Sequence, residues 1–259
     1  MEKVVNTLTA ALGLEPKEHV ALVGGGGKTR LMFTLAEELR QARKRVITST
    51  TTKIWHRQAS DSTHVGLVQS HPNWRDELSG VLKTHGHGFL GDSLLESGKV
   101  RGIDPTLADE LYQGMEVDYL IVEADGSAGR PVKVPAEHEP VIPRSTTKTV
   151  AVLGLEALGQ QLSPEIVFRI DLFCNLAEIE ESDRLTAPVL SRLFLRPDGL
   201  FKGTAPPAKR VAFLNKFDLL FEKQEARDLA DLILGEKGSQ VDRVVIGSIK
   251  ESIYKIIVE

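Results

Sequence analysis

The stretch HVALVGGGGKT, residues 19–29, decides the fold of this chain. Its first part, His19 to Val23, is a short and mostly apolar run that predicts a buried strand. Four glycines follow, and Lys28 to Ala42 carries leucines at helical spacing. Because Arg45–Thr48 offers a second strand, the order strand, glycine loop, helix, strand predicts a βαβ unit with parallel strands.

The glycines and the two residues after them predict a phosphate site. Backbone N–H groups can surround phosphate oxygens only where no Cβ blocks the approach, and a helix N-terminus adds a positive dipole end. In the pattern G-x-x-x-x-G-K-[ST] the lysine reaches the β and γ phosphates and the hydroxyl binds Mg²⁺. Leu22 stands where that pattern has its first glycine. We predict that a nucleotide with Mg²⁺ is bound by Gly24, Gly25, Gly26, Gly27, Lys28 and Thr29.

A second apolar strand, Tyr119–Val122, runs into two carboxylates, Glu123 and Asp125. Residues two apart in an extended strand point to the same side, so both carboxylates can face the phosphate loop. Carboxylates in this place hold the shell of Mg²⁺ or position the attacking water. We predict that one of the two does the first and the other the second, in either order. With Lys28 they form the predicted catalytic set.

A late apolar strand ends in the sequence NKFD, residues 215–218. In GTP-binding proteins N-K-x-D reads guanine, because the aspartate accepts hydrogen bonds from N1–H and the exocyclic amine. Adenine lacks that donor pair, so a site built around the aspartate would discriminate against it. The motif predicts that Asn215, Lys216 and Asp218 hold the base, while its four residues leave both GTP and ATP open.

Two further segments are candidates for a second substrate or for sensing the γ-phosphate. The first ends the second strand with hydroxyls and a cation, although β-branched residues also simply favour strands. The second is a proline-stiffened run, residues 130–143, whose cations could clamp an anion and whose histidine could transfer protons. The candidates are Thr50, Thr51, Thr52, Lys53, Arg130, Lys133, His138 and Glu139.

Composition excludes several classes of protein. The 259 residues are 41% hydrophobic and 26% charged, which is ordinary for a globular protein, and the net charge of −4 provides no broad basic field for nucleic acid. No apolar run approaches the ~20 residues that span a bilayer. A single cysteine, Cys174, allows no internal disulfide. We therefore expect a cytoplasmic protein with neither a nucleic acid nor a membrane as partner.

The remaining patterns predict the rest of the fold. We expect one domain over residues 1–259: a P-loop NTPase-like, three-layer α/β/α fold with a mainly parallel sheet. A helix is predicted from Val4 to Leu14. A small β-hairpin insertion is predicted at about 86–103, and a helical insertion at about 163–207, with a helix from Pro164.

The motifs together resemble a known family, the selenium-dependent hydroxylase accessory proteins of the YqeC type. The resemblance lies in GGGGKT (24–29), TSTTTK (48–53), VEADGS (122–127), NKFD (215–218) and the run R-P-x-K-x-P-A-x-H-E-P-V-I-P (130–143). It implies a P-loop fold and a role in the maturation of selenium-dependent molybdenum hydroxylases. Such a hydroxylase, or its cofactor-maturation proteins, would then be the partner. Members also tend to lack the first phosphate-loop glycine, as here.

The predicted function is that of a Mg²⁺-dependent GTPase or ATPase that assists maturation or cofactor loading of such hydroxylases. One alternative is a small-molecule kinase or nucleotidyl-transferring enzyme with the 130–143 loop as acceptor site. Another is a carrier that binds nucleotide or molybdenum cofactor without hydrolysis. The three differ in whether phosphate is released, transferred or left in place.

Overall fold

A ten-stranded sheet forms the centre of the molecule in a computed structural model that describes residues 2–61 and 63–258. In spatial order the strands are β1 (Glu2–Val5), β15 (Ile253–Ile257), β14 (Arg243–Ser248), β13 (Lys209–Asn215), β11 (Lys148–Gly154), β2 (Glu18–Gly24), β9 (Tyr119–Glu123), β3 (Val46–Thr50), β6 (His87–Gly91) and β5 (His64–Leu67). All neighbouring strands from β14 to β5 are parallel, whereas β1 and β15 are antiparallel at one edge.

Helices cover both faces of this sheet. Alternation along β2 sends Val20 and Leu22 into one apolar layer and Ala21 and Val23 into the other. The first layer is closed by α1 (Leu8–Leu12), α2 (Lys28–Gln41) and α3 (His56–Ser60). The second is closed by α4 (Trp74–His85), α5 (Pro105–Gly114), α6 (Ile170–Ala177), α7 (Ala187–Leu195) and α8 (Lys223–Gly235). The predicted three-layer α/β/α fold is confirmed.

The described helices include none that is both long and apolar enough to cross a membrane.

The prediction of a separate hairpin over residues 86–103 is wrong in its first part. Residues His87–Gly91 form β6, a fully buried strand that lies parallel to β3 inside the main sheet. The two glycines of this strand hid it from the apolar pattern. Its second part does form a hairpin, of β7 (Ser93–Leu94) and β8 (Lys99–Arg101), which β4 (Lys53–Trp55) extends to three antiparallel strands.

Two predicted helices begin later than expected. Residues Glu2–Val5 form strand β1, because Val4 and Val5 pair with the last strand, and α1 follows after a cap by the Thr7 hydroxyl. In the predicted helical insertion, α6 begins at Ile170 rather than Pro164. The residues before it are drawn into a short parallel pair of β10 (Val132–Lys133) and β12 (Val167–Phe168).

Candidate functional site

The glycine loop joins the end of β2 at Gly24 to the start of α2 at Lys28. It passes directly against the end of β11, where backbone atoms leave no space for side chains. A Cβ on Gly26 would lie 2.1 Å from the amide nitrogen of Gly154, and its φ of +76° is one that L-residues rarely adopt. The close approach of two strand ends, rather than loop flexibility, therefore requires glycine here.

The first three glycines donate their N–H groups inside the protein. The acceptors are the Asp125 carboxylate at 3.0 Å for Gly24, Val152 O at 2.9 Å for Gly25, and Arg130 O at 3.0 Å for Gly26. No side chain caps α2, so the N–H groups of its first turn face the loop without a side-chain acceptor. The groups that can bind an anion are thus the backbone N–H groups at the N-terminus of α2, and the glycines leave the space through which an anion reaches them.

Lys28 lies between two carboxylates at the end of the neighbouring strand. Its Nζ is 3.1 Å from Asp125 Oδ1 and 3.6 Å from Glu123 Oε1, and it also donates to the carbonyl oxygen of Gly24. The Thr29 hydroxyl donates to Glu123 Oε2 at 2.8 Å. The parallel register that sets Leu22 opposite Glu123 brings these groups together.

Burial and charge act against each other in this group. Burial disfavours the charged ammonium of Lys28, but Asp125 and Glu123 outweigh it, so that the pKa of Lys28 is raised. Burial raises the pKa of Glu123, against the opposing pull of Lys28. Lys28 therefore stays charged and paired.

The donor chemistry of this group fits Mg²⁺, which prefers oxygen ligands. One hydroxyl, of Thr29, and the carboxylates of Glu123 and Asp125 meet at one place. Residues 2–61 and 63–258 contain no group of three or more His, Cys, Asp or Glu side chains arranged to hold a metal ion. An ion held here would complete its shell from nucleotide phosphates and water.

The hydroxyl segment after β3 borders this group. Thr50 Oγ1 donates to the carbonyl oxygen of Glu123 at 2.8 Å, and Thr51 Oγ1 donates to Val141 O at 2.9 Å. Thr52 Oγ1 lies 3.1 Å from Thr50 Oγ1. Lys53, by contrast, is exposed on β4. Thr50 thus supports the strand end that carries Glu123, Thr51 and Thr52 are partly buried, and Lys53 is exposed.

The 130–143 run divides into buried and exposed candidates. Lys133 and Glu139 are buried and paired with each other at 2.7 Å, and Lys133 also reaches Asp125 at 3.1 Å. His138 is exposed. Arg130 donates from Nε to the carbonyl oxygen of Pro164 at 2.7 Å. Lys133 thus reaches Asp125 beside the loop, Glu139 contacts Lys133, and His138 is exposed.

The NKFD loop approaches the glycine loop from the far side of β11. Asn215 Nδ2 donates to Gly26 O at 2.9 Å, and Asn215 Oδ1 accepts from the backbone N–H of Ile249 at 3.3 Å. The Asn215 amide therefore links the phosphate loop to the segment after β14. Asp218 lies 3.9 Å from Lys250 Nζ.

Two residues at this edge escaped the sequence patterns. Lys250 follows β14, and Glu156 follows the end of β11 and forms an ion pair with Lys216. Both come just after the carboxyl end of a parallel strand, where sites in such sheets gather. That rule, applied to every strand, would have indicated them.

The sheet, the uncapped helix after a glycine loop, and the Lys–Thr pair facing strand-end carboxylates define a P-loop protein of the nucleotide-binding class. A profile described as YqeC protein matches residues 20–171. The YqeC protein of Escherichia coli (strain K12) is 32% identical over 266 residues, which cover 97% of this chain and 96% of that one. The chain belongs to the YqeC family.

Solved structures are more distant. Chloroplast FtsY from Physcomitrella patens matches with a TM-score of 0.45 and 10% identity, over 93% of this chain and 63% of that one. FtsY from Thermotoga maritima matches with a TM-score of 0.41 and 15% identity, over 94% and 66%.

Proposed function

We propose that this protein binds GTP with Mg²⁺ and hydrolyses it. The observation that supports this best is the meeting of Lys28 and Thr29 with Glu123 and Asp125 at the N-terminus of an uncapped helix. An uncapped helix end attracts phosphate, and the lysine adds a positive charge beside it. The two carboxylates would hold the metal shell and orient the attacking water.

Positioning and charge would supply most of the catalysis, as in other phosphoryl-transfer sites. Lys28 would leave its carboxylates to bind the β and γ phosphates, and Thr29 would turn its hydroxyl from Glu123 to the metal. Mg²⁺, when bound, neutralises charge on the phosphates. Glu123 and Asp125 would share the remaining work of holding the metal shell and orienting the water.

We propose guanine rather than adenine because Asp218 stands at the base loop that Asn215 ties to the phosphate loop. A carboxylate accepts from the two donors at guanine N1 and N2, and adenine offers no such pair. ATP binding that is tighter than GTP binding would contradict this choice.

We propose further that nucleotide turnover serves the maturation or cofactor loading of a selenium-dependent molybdenum hydroxylase. Membership of the YqeC family, together with the resemblance of five motifs to accessory proteins of these enzymes, supports this role. The hydroxylase or one of its maturation proteins is then the partner, in the cytoplasm.

Nucleotide binding and phosphate release test the proposal. Kd values for GTP and ATP are measured with and without Mg²⁺, and phosphate release is followed with and without a purified hydroxylase. Glu123→Gln should lower phosphate release at least a hundredfold, since it removes a charge that holds the metal or water.

Glu18→Gln is the matched control, because Glu18 is a buried glutamate paired with a lysine at the amino-terminal ends of β2 and β11, away from the loop. It should leave phosphate release within threefold of wild type. Release that requires a small acceptor would instead indicate a kinase or nucleotidyl-transferring enzyme. Tight binding without turnover, even with the partner, would indicate a carrier.

A further inference from the structure

Asp125 lies between two buried lysines. Lys28 Nζ is 3.1 Å from its Oδ1, and Lys133 Nζ is 3.1 Å from its Oδ2. The side chains of Asp125 and Lys133 are completely buried, and that of Lys28 is 1% exposed. The same carboxylate accepts from the N–H of Gly24 at 3.0 Å. Asp125 thus connects the loop backbone, the loop lysine and a lysine from another segment.

Lys133 is held in place by several groups of its own. It donates to Gly126 O at 2.8 Å and to Glu139 Oε2 at 2.7 Å. Glu139 in turn pairs with Arg169, the residue just before α6. These ion pairs form a row of alternating charges that runs from Lys28 in the glycine loop to Arg169 before α6. Each buried ion in the row therefore lies beside an opposite charge.

Nucleotide binding would leave the buried Asp125 carboxylate with one cation fewer, which costs free energy. When Lys28 turns to the phosphates, Asp125 loses one of its two cations while it stays buried. A buried carboxylate without a partner is strongly destabilising in general. Lys133 is the cation that stays beside Asp125, because its other contacts are with Gly126 and Glu139 and not with the loop.

We propose that Lys133 is a positioning residue for the phosphate site: it keeps Asp125 paired and oriented when Lys28 leaves for the nucleotide. The inference rests on the proposed nucleotide binding and deepens it. It assigns Lys133 to support of the loop instead of contact with a second substrate. Without Lys133, Asp125 would retain Lys28, and the phosphates would have to compete for that lysine.

The test compares two buried lysines by substitution. Lys133→Met removes the second cation of Asp125. Lys148→Met removes a buried lysine that is 3.0 Å from Glu18 at the amino-terminal ends of β11 and β2, so it matches the loss of a buried ion pair. Kd for fluorescent GTP and ATP analogues with Mg²⁺ and unfolding in urea are measured for both variants and wild type.

We expect Lys133→Met to raise the Kd at least tenfold and Lys148→Met to leave it within threefold, while both lower stability. Lys133→Arg keeps a cation and should restore the Kd to within about threefold of wild type. Equal Kd values for the two methionine variants would overturn the inference, since a purely structural role predicts them. A folded Lys133→Arg as weak as Lys133→Met would also overturn it.

Binding by the wild-type protein distinguishes a failure of the proposed function from a failure of the role of Lys133. A wild-type protein that binds neither analogue contradicts the proposed function itself. A wild-type protein that binds, with Lys133→Met binding equally well, contradicts only the role of Lys133.

Discussion

Replacing Gly26 by alanine tests the geometry on which the site depends. The added Cβ would lie 2.1 Å from the amide nitrogen of Gly154 and 2.5 Å from its Cα, and both are backbone atoms that cannot rotate away. The left-handed φ of +76° adds about 1–2 kcal/mol for an L-residue. Forcing the loop and β11 apart adds about 1–3 kcal/mol, as overpacking in a closed interior does.

We therefore expect Gly26→Ala to lower the free energy of unfolding by about 2–5 kcal/mol. Displacement of the loop would also weaken the hydrogen bond from Asn215 to Gly26 O, which is 2.9 Å long. Because this bond ties the base loop to the phosphate loop, Kd for GTP should rise at least tenfold.

Urea unfolding followed by circular dichroism, together with titration of a fluorescent GTP analogue, measures both effects. Gly114→Ala is the control, because a Cβ at Gly114 meets no heavy atom within 4 Å. It should change stability by at most about 1 kcal/mol, in the stabilising direction. A Gly26→Ala protein within about 0.5 kcal/mol of wild type would refute the close approach of loop and β11.

Three further predictions follow from particular contacts. Burial lowers the pKa of His19 and of His87 from 6.5 to about 4. Between these two pH values the unfolded chain therefore binds more protons than the folded chain. The free energy of unfolding, measured with urea, should be constant above pH 6.5 and should decrease towards pH 4, by up to about 3 kcal/mol for each histidine. His19→Gln should make this decrease smaller. Thr29→Ala removes the hydroxyl that donates to Glu123, so the Mg²⁺ concentration for half-maximal nucleotide binding should rise about tenfold, and Thr29→Ser should restore it. Asp218→Asn should move preference from GTP towards a xanthine nucleotide in competition titrations, because an amide donates where the carboxylate accepts; an unchanged preference contradicts base contact.

Local patterns in the sequence predicted most of the parallel sheet. Strands β2, β9 and β13 are short apolar runs, and the sequence predicts each of them to within a few residues. The strand β6 was missed because its glycines break the apolar run, and its burial arises from the layers around it. The sequence predicts a helix over part of β1, because the strand that β1 pairs with, β15, is distant in sequence.

For the site, the glycine-loop motif predicts Lys28, and the end of the apolar strand Tyr119–Val122 predicts Glu123 and Asp125, because both signals lie in short stretches of sequence. Their roles in catalysis stay predictions. Lys133 shows where such reading stops: the sequence predicts that it binds an anion of a second substrate or senses the γ-phosphate. In the structure it is buried, and the anions that it contacts are the protein's own carboxylates, Asp125 and Glu139.

The sequence by itself determined the glycine loop before a helix, the order of alternating strands and helices, and membership of the YqeC family. These follow from neighbouring residues, whose periodicity and turn chemistry act within a few positions. Only the tertiary structure decided that Asn215 binds the loop at Gly26 and that a second lysine supports Asp125. Those contacts join distant segments, and the free energy of burying a charge depends on which opposite charge the fold brings beside it.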